Sequence, residues 1–159
     1  MRAGVILILA VSILAGCGDD DVNKPYFEFA GGGFVANYRT ANVYYGFIAR
    51  PVKAAPEGAL IEAEFEMPAG QAPEIVTAVA KTGQLQYQFR SPNMSSLVKG
   101  HRYKVILRLK DAKGAEIARY EHSFLAEADR STVPDQPLVT GPGYKLNPEA
   151  AKNLGIPAQ

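Results

Sequence analysis

Residues 59–67 read ALIEAEFEM, and their strict alternation decides the fold class. Ile61, Ala63, Phe65 and Met67 fall on one side of an extended chain, and Glu62, Glu64 and Glu66 on the other. A period of two sends successive side chains to opposite faces of a strand, so this segment has one face in a core and one in water.

The same pattern spreads in both directions. Upstream, Tyr26–Phe29 reads as a short strand and Gly31-Gly32-Gly33 as its break, with Phe34–Tyr38 and Val43–Ile48 following as two strands or one bent one. Downstream, Pro68-Ala69-Gly70-Gln71 is a turn leading into a strand at Glu74–Val79. Gln84–Arg90 alternates again, with Leu85, Tyr87 and Phe89 expected inward and Gln84, Gln86, Gln88 and Arg90 outward. Tyr103–Leu109 puts Tyr103, Val105, Leu107 and Leu109 on one face. The turn Asp111-Ala112-Lys113-Gly114 joins it to a last strand at Glu116–Phe124. About six to eight short strands with turns between them and no long helix argue for an all-β fold, a single antiparallel β-sandwich over residues 25–126. A small barrel is the alternative.

One stretch points to a particular sandwich. Leu97-Val98-Lys99-Gly100-His101-Arg102-Tyr103-Lys104-Val105 resembles the corner between the fifth and sixth strands of fibronectin type III domains, where a Leu, a turn and Tyr-x-Val recur. The resemblance implies that the Tyr103 hydroxyl bonds back to the backbone at the corner. It also implies that the strand holding Glu62, Glu64 and Glu66 pairs with the one holding Arg102, Lys104 and Arg108, where opposite charges contribute about 0.2–1 kcal/mol per pair. The Trp that such sandwiches often bury is missing, since the chain has none.

Beyond Ala126 alternation stops. Residues 127–159 contain five of the eleven prolines, at 134, 137, 142, 148 and 157, and proline removes the donors a sheet needs. The tail is expected to be extended and partly mobile, laid across the domain. A short helix over 148–154 is expected, with Asn147 as its cap, Pro148 at its first position and Gly155 at its end.

The N-terminus is a different kind of segment. Met1-Arg2 is followed by Val5–Leu14 (VILILAVSIL), ten residues with only Ser12 polar. A bilayer span needs about 20 apolar residues, so this run has the length of a signal-peptide core. Leu14-Ala15-Gly16-Cys17 resembles the lipobox of bacterial lipoproteins. That resemblance implies cleavage of residues 1–16, a lipid on Cys17 and a solvated tether over residues 17–24. Two or more acyl chains hold a protein stably, whereas one holds it marginally. In enteric members of that family an Asp directly after the Cys favours inner-membrane retention. Gly18 stands there in this chain, which implies the outer membrane on its periplasmic face, with inner-membrane retention as the alternative.

Charge limits the partners. Lys+Arg is 17 and Asp+Glu is 16, and removal of Arg2 leaves 16 against 16, so the chain has no field for steering nucleic acid. An envelope protein is the expected partner besides the membrane. No cofactor is expected, and the catalytic and metal inventories are expected to be empty. The two histidines, His101 and His122, lie near Ser91, Ser95, Ser96, Ser123 and Asp111, but no spacing specifies a triad and no nucleophile elbow is present. His101 is expected in an exposed corner loop. His122, on the face of Ala118, Tyr120 and Phe124, is expected to be a hydrogen-bonded structural residue. Asp19-Asp20-Asp21 lacks the glycine and distal glutamate of a calcium loop. Among the aromatics, Tyr44 and Tyr45 point to opposite faces, so one of them is a candidate contact residue together with Tyr144 in the tail.

The reading that follows is a membrane-anchored periplasmic lipoprotein serving as a non-catalytic binding or adaptor module. A glycan- or lipid-binding module is the alternative, and a hydrolase with an unrecognised site ranks last.

Overall fold

The computed structural model describes residues 23–157. Cys17, the rest of the leader and Asp19-Asp20-Asp21 lie outside the described residues. Seven strands follow in order: β1 (Phe27–Asn37), β2 (Asn42–Pro51), β3 (Leu60–Phe65), β4 (Glu74–Val79), β5 (Tyr87–Arg90), β6 (Arg102–Lys110) and β7 (Glu116–Leu125). They form two antiparallel sheets, one ordered β1-β2-β5 and the other β4-β3-β6-β7, packed as a sandwich.

Register explains the core. Ile61 faces Leu109, Ala63 faces Leu107 and Phe65 faces Val105, so the apolar sets of β3 and β6 meet on one side of their sheet. Phe47 lies 5.5 Å from Phe89 of its own sheet between ring centroids, and across the sandwich it lies 5.8 Å from Phe65, which Tyr45 meets edge-on at 5.2 Å. These rings fill the interior of a chain without tryptophan, each contributing on the order of 1.5–3 kcal/mol by burial.

Two expectations fail here, both for non-local reasons. Gly31-Gly32-Gly33 does not break a strand, because β1 continues through it to Asn37 with a bulge between Phe29 and Gly31. A side chain at Gly32 would place its Cβ 2.5 Å from the Gly46 carbonyl and 2.7 Å from the Phe124 ring. The glycine therefore makes room for β7 to lay Phe124 against β1. Leu85 is not inward but 83% exposed. The turn closed by the Gln84 N–H on the Lys81 carbonyl keeps residue 85 off the sheet, and ladder pairing starts only at Tyr87.

The corner over residues 97–105 forms as expected. Tyr103 is buried and its hydroxyl accepts the Val98 N–H at 3.1 Å, while Gly100, at φ 85°, makes the turn. Tyr103→Phe leaves that N–H to solvent and is expected to cost about 1 kcal/mol, read as a lower urea midpoint with an unchanged slope.

The tail lies across the pole where β1 turns into β2. A 3-10 turn at Arg130–Thr132 is followed by a hairpin of β8 (Val139–Thr140) and β9 (Lys145–Leu146), then helix α1 (Pro148–Asn153). The Arg130 guanidinium donates to the carbonyls of Val133, at 2.6 Å, and Ala41, at 3.4 Å, and the Leu138 N–H donates to the Tyr38 carbonyl. Asn147 caps α1 by accepting from Glu149 N–H at 3.1 Å and Ala150 N–H at 3.5 Å, as its position before Pro148 suggested. The hairpin was not legible beforehand, because two-residue strands leave no period to read.

Candidate binding surface

Local structure explains most of the polar residues singled out in the sequence. Glu64 pairs with Arg108 at 2.7 Å and Glu62 with Lys110 at 2.7 Å, and Arg108 also reaches Glu116 at 3.4 Å. The acidic face of β3 is thus neutralised by β6, as the resemblance implied, although the ion pairs run diagonally to the register. Of the three expected partners only Arg108 holds a β3 glutamate: the Lys104 ammonium pairs with Glu121 of β7 at 3.7 Å, and Arg102 has no carboxylate contact among the described residues.

Glu66 behaves differently from its two neighbours. One oxygen accepts the Lys104 N–H at 2.8 Å and the other meets His101 Nε2 at 2.7 Å. Burial opposes ionisation most strongly. The Lys104 N–H, the His101 hydrogen bond and the fields of both residues together outweigh it and hold the carboxyl below the usual glutamate range. His101, in the exposed loop before β6, is therefore a partner of Glu66 and an edge-on neighbour of Tyr103 at 4.5 Å.

Ser91, Ser95, Asp111 and His122 are also accounted for. The buried Ser91 hydroxyl accepts the Tyr45 N–H at 3.2 Å and donates to the Pro92 carbonyl at 2.8 Å. Ser95 accepts from Gln71, and Asp111 accepts the N–H groups of Lys113 and Ala115 to close its turn. His122 is not the hydrogen-bonded residue expected. It stacks on Phe29 at 4.9 Å and meets Phe124 edge-on at 4.8 Å, so its surroundings are aromatic. Among the described residues no hydrogen bond joins either histidine to a serine, and no three metal-ligating side chains converge.

The contact candidates divide as parity requires. Tyr45 is fully buried, whereas Tyr44 takes the outer face of the β1-β2-β5 sheet. The Arg90 guanidinium lies 4.9 Å from the Tyr44 ring, and the Arg39 guanidinium lies 4.1 Å from the Tyr144 ring. Cation–π contacts of this kind contribute about 0.5–1 kcal/mol at exposed sites. Tyr144 is 58% exposed and sits at φ 51°, and Ala41 nearby is at φ 56°. Non-glycine residues in that region are strained and gather at functional positions.

Beside the Tyr44–Arg90 contact the sheet face is concave. A trough of about 410 Å³ runs over Gly33 and Gly46, flanked by Val35, Tyr44, Ile48 and Arg90. Gly33 pairs with Gly46 and Gly46 with Arg90, so the middle of the outer face has no side chain on two adjacent strands. Among the described residues neither Arg39 nor Arg90 has a carboxylate partner, in contrast to Arg108, Lys110, Lys104 and Arg119 on the opposite sheet. The sequence could offer Tyr44 and Tyr144, but not the arginines over them, because each contact depends on which strands become neighbours.

A second cavity of about 520 Å³ lies at the pole where β1 begins, between Phe27, Val52, Ala55, Lys81 and Tyr87. It combines an apolar floor with a polar rim, the general composition of small-ligand sites. No helix among the described residues is long and apolar enough to cross a membrane. No protein-family model matches the chain, and no curated protein matches it.

Proposed function

We propose that this chain is a lipid-anchored, non-catalytic adaptor of the bacterial envelope, attached through Cys17 on the periplasmic side of the outer membrane, and that it binds a protein partner through the Tyr44/Arg90 and Tyr144/Arg39 surface. The observation that carries the binding role is the pair of outward tyrosines, each under an arginine that has no carboxylate partner among the described residues, with a glycine-floored trough beside Tyr44 and Arg90. Tyr and Arg are the residues that most often anchor protein interfaces, because they bring large area and directed charge at low conformational cost. The anchoring role rests on the Leu14–Cys17 stretch and on the short apolar run before it. The finer fold reading is a fibronectin type III-like domain. The pairing of β3 with β6 and the Tyr103 corner support it.

Glycan stacking is the alternative use of the same tyrosines, and one face of each ring is already taken by a guanidinium. The test places a photo-crosslinking residue at Tyr44 or Tyr144 in intact cells. Both positions are expected to capture one common protein, and Cys17→Ala is expected to abolish lipid labelling. Capture of nothing at both positions overturns the adaptor reading, and persistent labelling of the Cys17→Ala chain overturns the anchor.

A further inference from the structure

Among the described residues β4 is an open edge, and it is the one edge strand there without protection. The strands that end the two sheets are β1, β5, β4 and β7. An unpaired edge offers N–H and C=O groups to any passing strand, and proteins blunt it with charges, bulges, proline or brevity. β7 carries Arg119 and Glu121, β1 carries the bulge and its glycines, and β5 has only four residues. β4 continues from Ile75 to Val79 as Ile-Val-Thr-Ala-Val, with no charge, glycine or proline. Ile75 is 54% exposed and Val79 53%.

The ladder fixes which backbone groups are open. The Ala80 N–H donates to the Ala59 carbonyl at 2.8 Å, in the same register as the Ala78–Ile61 and Val76–Ala63 pairs. Hydrogen bonding alternates along an antiparallel strand. The amides of Glu74, Val76 and Ala78 therefore face β3, and those of Ile75, Thr77 and Val79 face away. The exposed side chains belong to these same three residues.

We propose that β4 pairs antiparallel with β4 of a second copy of this chain, across a two-fold axis at Thr77. That register sets Thr77 opposite Thr77 and Ile75 opposite Val79 on either side, so every open amide between 75 and 79 finds a partner. The same face of both chains stays outward, and the two exposed apolar residues cover each other. A two-fold contact of this kind is self-complementary and closed, so it stops at a dimer. The pairing depends neither on the lipid nor on the tyrosine–arginine surface.

The test is Thr77→Cys in the full chain under mild oxidation, read on a non-reducing gel beside the wild-type chain and Leu85→Cys, an exposed position off the edge. The expected result is a disulfide-linked dimer well above the wild-type level for Thr77→Cys alone. Adding Ile75→Lys, which sets a charge opposite Val79, is expected to cut the linked fraction about tenfold while the melting temperature stays within a few degrees. A monomeric Thr77→Cys chain, dimer unaffected by Ile75→Lys, or linkage to a protein of another mass overturns the self-pairing. The last of these outcomes assigns the edge to a foreign strand.

Discussion

Gly46→Ala is expected to unfold the sandwich at temperatures the parent tolerates. The added Cβ would collide with the Phe89 carbonyl of β5 and lie 3.1 Å from the Arg90 Cα, so the obstacle is backbone that cannot rotate away. Gly32→Ala acts on the neighbouring β1–β2 seam, 2.5 Å from the Gly46 carbonyl and 2.7 Å from the Phe124 ring. Overpacking costs about 1–3 kcal/mol and more where the neighbour is rigid, and each kcal/mol lowers the melting temperature of a domain this size by roughly 4–8 °C. Gly70→Ala is the control, since nothing lies within 4 Å of its Cβ and its φ of 88° adds only local strain. A Gly46→Ala chain that melts with the Gly70→Ala control would show that β2 and β5 are not packed this closely.

The second large effect belongs to Tyr45, which ties the two sheets together. Its ring is fully buried, and its hydroxyl donates to the Glu66 carbonyl at 2.8 Å, with the Lys104 carbonyl at 3.1 Å as the second acceptor. Tyr45→Ala empties the ring site, and such truncations cost about 3–5 kcal/mol. Tyr45→Phe keeps the ring but takes its donor from the part-buried Glu66 carbonyl, for about 1 kcal/mol, since the Lys104 carbonyl keeps the Glu66 N–H. The same group controls the alkaline limit. Burial first, then the Glu66 charge, pushes the Tyr45 hydroxyl far above the usual tyrosine range. A raised value in the folded state means that the native chain keeps a proton the unfolded chain gives up. The contribution is complete below the unfolded value of about 10 and is lost as pH rises beyond it. Stability measured by urea unfolding from pH 9 to 11 is expected to fall more steeply for the parent than for Tyr45→Phe. Equal slopes would assign the loss to other tyrosines.

How far the sequence could be read depended on whether a feature was local. Ile61 to Phe65, Tyr103 to Leu109 and the Asn147-Pro148 cap were visible because alternation, turn residues and capping act within a few positions of themselves. Gly32 was misread because its reason for being glycine is Phe124, a residue 92 positions away. Leu85 was misread because parity says which face a residue takes only after the chain has joined a sheet, and β5 joins at Tyr87. The tail hairpin, with Tyr144 at positive φ under Arg39, depends on a contact with the β1–β2 turn that proline counting does not reveal.

By itself the sequence determined the class of fold, because a period of two over successive segments has one physical meaning: an extended chain with one wet and one dry face. It also determined the core faces of β3 and β6, and it reserved one cysteine behind a short apolar run. Only the tertiary structure decided how the surface is distributed. It neutralised the glutamates of β3 against β6, laid arginines over Tyr44 and Tyr144, emptied the middle of one sheet face and left the outer edge of β4 without a neighbouring strand among the described residues. Those outcomes follow from which strands lie side by side. Strand order is fixed by packing across the whole sandwich, where residues tens of positions apart in the chain come within a few ångströms of each other.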